Sequence, residues 1–161
     1  MWRIINKMLI YLEITLSVTL LVAATSVLFA NVVLRYFFSA GFSWAEEFIA
    51  YSMIWVTFIG VAICARKKSH VAMKLILDSL KSESSKRYYQ MVLTFVAIIF
   101  CTWVVYLGIK QVYFLVEMGQ KSPAMRLPMF IPYLSVPIGF LLMTVRYLEE
   151  IISLIMEVNQ V

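Results

Sequence analysis

Four apolar segments, each long enough to cross a lipid bilayer, take up most of this 161-residue chain. They lie at about 8–34, 44–65, 88–116 and 129–148, and a spanning helix needs about 20 apolar residues. The predicted fold class is therefore all-α and integral to a membrane. It is a single four-helix transmembrane domain over 1–161, with a short interfacial amphipathic helix between the second and third spans. Too little chain remains for a separate catalytic globule, and no enzyme is expected. The first segment follows Arg3 and Lys7 as the apolar core of a signal peptide would, but it runs well past the ~7–15 residues of such a core. It reads as an uncleaved span.

The charges set the expected orientation. Between the second and third segments, residues 66–87 hold seven of the fourteen basic residues: Arg66, Lys67, Lys68, Lys74, Lys81, Lys86 and Arg87. With this stretch and both termini in the cytoplasm, Arg3, Lys7 and Arg146 join them inside. Arg35, Lys110, Lys121 and Arg126 are left outside. That ten-to-four split obeys the positive-inside rule and the opposite topology breaks it. The net charge of +5 is thus topological, and no nucleic-acid partner is implied. Cys64 and Cys101 fall inside spans as packing residues, without the spacing of a disulfide framework.

Four local patterns carry further expectations. In the inner loop, Met73, Ile76, Leu77 and Leu80 share one helical face, with Lys74, Asp78 and Lys81 opposite. This predicts an amphipathic helix over 69–81, lying in the headgroup plane against anionic and zwitterionic phospholipids. Small residues recur along the first span (Thr15, Thr19, Ala23, Ser26, Ala30) and the third (Thr94, Ala97, Cys101, Gly108), which predicts close helix–helix interfaces, within the chain or with a partner. At the first outer turn, Ser43-Trp44-Ala45-Glu46 fits a capping box, Trp44 fits an interfacial anchor, and Arg35 is expected to pair with Glu46 or Glu47. In the fourth span Pro132 is tolerable near the helix start, whereas Pro137 should kink it.

Chemistry-bearing constellations are few. The single histidine, His70, cannot supply paired haem ligands, and no nucleotide loop or nucleophile elbow occurs. No cofactor or metal is expected. Glu13 and Lys110 are the charges within spans, where charge by default points to a transport site. Each lies near a membrane edge where it can snorkel or pair. Without a convergent polar site at mid-membrane, the chain reads as an accessory or scaffold subunit. Arg35, Trp44, Glu46, Glu47, Arg66, His70, Lys74 and Lys81 are its candidate partner- or lipid-facing residues.

Taken in order, the motifs resemble those of the small, DctQ-type membrane subunit of tripartite ATP-independent periplasmic (TRAP) transporters. The resemblance runs through Asn31 with Arg35-Tyr36, Trp44-x-Glu46-Glu47, Phe58-x-Gly60, and Arg66 with His70. It continues through Ser122-Pro123-Ala124, Pro128, Tyr133 and Pro137-Ile138-Gly139, and Met125 stands where leucine is expected. It implies a place in the bacterial inner membrane beside a large membrane subunit that carries the substrate and sodium sites. A periplasmic binding protein would deliver an organic acid, of the C4-dicarboxylate or sialic acid type. A small multidrug-type antiporter also has four helices, with a glutamate in the first, but its loops are tighter. The anchor subunit of a respiratory complex is the other alternative.

Overall fold

The computed structural model describes residues 2–66 and 83–158. The predicted amphipathic helix at 69–81, with His70, Lys74 and Lys81, lies outside them. Arg66 is the last residue of a helix, with its side chain outside the description. The described residues form α1 (Trp2–Phe38), α2 (Ala45–Arg66), α3 (Glu83–Met118), the single turn α4 (Phe130–Tyr133) and α5 (Ser135–Val158). Four stretches are long and apolar enough to span a membrane: Met8–Phe38, Ala45–Ala65, Tyr88–Met118 and Phe130–Ile152. The protein is thus an all-α, multi-pass membrane protein.

The long helices form an open row in the order α1, α2, α5, α3. Each packs chiefly on its neighbour in that row, and α1 and α3 occupy its two edges. Two kinds of seam hold the row. On α1 the shielded positions include Glu13, Ser17, Leu20, Ala24, Val27, Asn31 and Leu34. Their alternating four- and three-residue steps are a heptad seam. The expected small-residue stripe is not this seam: Ala23 is half-buried, while Thr15, Thr19, Ser26 and Ala30 face away from the rest of the chain. The stripe on α3 does pack inward. Thr94 and Cys101 are buried, and Cys101 packs with Ala65 and Tyr147 in a small core flanked by Ala97 and Phe140.

Helices α2 and α5 approach each other closely at Gly139. A Cβ built on Gly139 would lie 2.7 Å from the Phe58 carbonyl oxygen, a separation only a hydrogen side chain allows. Where α3 meets α5, Gly108 faces the Pro137 ring in the same manner, at 3.1 Å. The consequence of Pro137 is felt one turn upstream. The proline has no N–H for the Tyr133 carbonyl, and the helix is interrupted at Leu134, between α4 and α5. The Ser135 hydroxyl donates to the Pro132 carbonyl at 2.7 Å inside that break.

Candidate functional site

Two connections meet at one end of the row, called here the hairpin end. The first joins α1 to α2. Ser39 adopts a left-handed conformation, φ 50°, and turns the chain out of α1. The buried Asn31 then catches the return: its Oδ1 accepts the Phe42 N–H at 2.7 Å. The Trp44 carbonyl accepts the first helical hydrogen bond, from Phe48 at 3.0 Å. That makes Trp44 the N-cap, one residue later than the capping box requires. Ser43 and Glu46 accordingly form no side-chain bond to each other. Trp44 is instead held by aromatic contacts, its ring 5.3 Å from Phe42 and 6.2 Å from Phe48.

The second connection, between α3 and α4, is a tight hairpin. Ser122 N–H donates to the Leu127 carbonyl at 2.8 Å, Met129 N–H donates to Gln120 at 2.9 Å, and Lys121 bridges Pro128. The buried Ser122 hydroxyl accepts the Leu127 N–H as well, at 3.3 Å. Pro123 begins the turn and has no donor, and Arg126, at φ 53°, closes it. The Ala124 and Met125 N–H groups are left out of the hairpin ladder and point toward α2.

Glu47 joins the two connections. One carboxylate oxygen accepts the Ala124 N–H at 2.9 Å and the other accepts the Met125 N–H at 2.9 Å. The expected ion pair is therefore not formed. Arg35 bonds neither Glu46 nor Glu47 and stands exposed on α1. The physical reason is reach: the hairpin tip offers Glu47 two parallel donors on rigid backbone, and charge-assisted bonds of that kind are the stronger ones.

The opposite, terminal end holds the second polar centre, which sequence reasoning missed. Glu13 of α1 pairs with Arg146 of α5 at 3.3 Å, with side chains 5% and 4% exposed. Arg146 also lies 3.6 Å from Glu149, and Gln90 donates to Glu150 at 2.9 Å. The antiparallel register that pairs Gln90 with Glu150 brings Thr94 level with Arg146. Glu13 Oε2, Ser17 Oγ and Thr94 Oγ1 are buried without a hydrogen-bond partner. The charge count treats Arg146 as a cytoplasmic edge charge, whereas the structure buries it between helices. Its place between Leu141-Leu142-Met143 and Tyr147-Leu148 was the available signal that it enters the span. Lys110 remains on the exposed surface of α3. Among the described residues, no group of three His, Cys, Asp or Glu side chains could hold a metal ion.

Comparison with known proteins gives a consistent set. Residues 24–157 match the family model of the DctQ component of tripartite ATP-independent periplasmic transporters. The ectoine TRAP transporter small permease protein TeaB of Halomonas elongata is 30% identical over 135 residues, covering 84% of this chain and 69% of the relative. The C4-dicarboxylate TRAP transporter small permease protein DctQ of Vibrio cholerae is 24% identical over 153 residues, covering 79% and 64%. The isethionate TRAP transporter permease protein DctMQ of Oleidesulfovibrio alaskensis is 29% identical over 111 residues. That match covers 67% of this chain but only 17% of the much longer relative.

Proposed function

The chain belongs to the DctQ component family of the tripartite ATP-independent periplasmic transporters, and from that membership we propose that it is the fixed scaffold of an organic-acid importer. The family's named members are transporter components and not enzymes. The observation that carries the scaffold reading is the Glu47 bond to Ala124 and Met125. It ties two connections, 77 residues apart in sequence, into one platform at the hairpin end. A moving transport element needs freedom there, and a scaffold needs rigidity. The buried charges among the described residues, Glu13 and Arg146, neutralise each other, which leaves them no charge to offer a solute.

In this reading a large membrane subunit moves the solute, sodium drives it, and a periplasmic binding protein docks near Trp44 and Glu47. The isethionate relative supports a larger membrane partner, since the matched part is 17% of its length. Ectoine, isethionate and C4-dicarboxylates each carry an acid group. Their presence in the relatives' names supports a small organic acid, with sialic acid within the same class. Both termini would face the cytoplasm, and Arg66, His70, Lys74 and Lys81 would meet inner-leaflet phospholipids.

Reconstitution tests the function. The chain alone should give no sodium-driven uptake of organic acids, and the chain with its large subunit and binding protein should. Saturable uptake by the chain alone, lost in Glu13→Gln, would overturn the scaffold and favour an antiporter. In a cysteine-free background, an externally applied thiol reagent should label Gln120→Cys and not Ser84→Cys. The reverse pattern would invert the topology.

A further inference from the structure

We propose that the cleft between α1 and α2 at the hairpin end binds one zwitterionic phospholipid, its phosphate on Arg35 and its primary ammonium on Glu46. The cleft measures about 500 Å³ and is lined by Leu28, Asn31, Val32, Arg35, Glu46 and Ile49, among others. It holds one cation and one anion that do not bond each other. Both are exposed, so each is open to a ligand group of opposite sign. Tyr36 lines the cleft, and Phe37, Phe38 and Trp44 are exposed at the same end of the row; such aromatic residues gather at the headgroup level of a membrane. One to two turns below Arg35 the lining is Val32 and Leu28, a floor suited to an acyl chain. The volume falls within the range of about 300–1,000 Å³ typical of small-ligand sites.

The charges select the headgroup. A phosphate accepts the Arg35 fork, and a primary ammonium donates hydrogen bonds to the Glu46 carboxylate. The hydroxyls of an anionic phosphatidylglycerol would donate to Glu46 but would bring it no positive charge, so only the phosphate–Arg35 half of the site would be matched in charge. A quaternary amine would carry the charge without N–H donors. The inference rests on the chain lying in a bilayer and is independent of what the transporter carries.

The test is native mass spectrometry of the full chain, alone and assembled with its large subunit, against phosphatidylethanolamine, phosphatidylcholine and phosphatidylglycerol at equal concentration. The expected result is retention of one phosphatidylethanolamine about tenfold over either competitor, the scale of one charge-assisted hydrogen bond. Glu46→Gln should abolish the preference for phosphatidylethanolamine over phosphatidylcholine. Arg35→Gln should lower retention of all three lipids, and Arg35→Lys should keep it. Equal retention of the three lipids by the unaltered chain would overturn the proposal without any variant. So would phosphatidylethanolamine retention that survives Arg35→Gln, or its loss on assembly, which would give the cleft to a protein partner.

Discussion

The two polar centres of this protein solve the same problem with different chemistry. At the terminal end, a carboxylate and a guanidinium neutralise each other at 3.3 Å in a place that water hardly reaches. At the hairpin end, a carboxylate is held by two backbone N–H groups, with Arg35, the cation expected to pair with it, bonding neither Glu46 nor Glu47. The first arrangement makes two helices of the row tolerable in lipid. The second fixes loops that lie beside water. A buried ion pair stands or falls as a unit, because removing one partner strands the other charge. A backbone clamp fails locally, because its donors can be taken up by solvent.

The largest effect expected from that contrast is at the ion pair. Arg146→Ala should cost about 3–5 kcal/mol, as is usual when one member of a buried pair is removed. The double replacement Glu13→Leu with Arg146→Met should recover most of that loss. Thermal unfolding in nanodiscs measures both, and a double variant as unstable as Arg146→Ala would break the comparison. Next is the α2–α5 crossing, which neither centre controls. Gly139→Val should cost about 1–3 kcal/mol by overpacking against Phe58, and a neutral result would mean that this contact is looser than 2.7 Å implies. Glu47→Ala should leave global unfolding nearly unchanged while protease access to 119–129 rises. A cooperative loss of the whole fold would show that the clamp behaves like the pair. The smallest effect belongs to Arg35→Ala, within about 0.5 kcal/mol as for exposed sites. Its combination with Glu47→Ala should be additive. Coupling between the two would restore the ion pair that the structure leaves unmade.

The contrast also explains what could be read from the residues. The four spans follow from the long apolar runs alone, because lipid admits few alternatives, whereas the order of the helices in the row depends on packing that those runs do not specify. The Thr94–Cys101 stripe on α3 was legible because small residues at helical spacing suit a close neighbour. On α1 the same spacing lies away from the seam within the chain, which runs instead through the buried Glu13 and Asn31, and so leaves the small-residue face open to a partner helix. Glu47 stood out as an acid that capping did not explain. Its partners could not be deduced, since any residue's N–H can accept that role and side-chain identity says nothing of it. Ser43 failed as a cap for a related reason: aromatic contacts on Trp44 accompany a helix start one residue later.

One length in this row reaches beyond the protein. The apolar part of α1 is 31 residues and that of α2 is 21, or about 46 Å and 32 Å at helical rise. To hide 46 Å within a hydrocarbon core of about 30 Å, a helix would have to lean by about 50°, and spanning helices lean by about 0–40°. α2 fits the same core almost upright. Two helices in contact thus ask for bilayers of different thickness, and α3, at 31 residues, sides with α1. The membrane has to swell at the edges of the row, or another protein has to sheathe the protruding ends. Acyl-chain length then becomes a control on assembly: thin bilayers would drive the edge helices toward a protein cover, and thick ones would relieve the need for it.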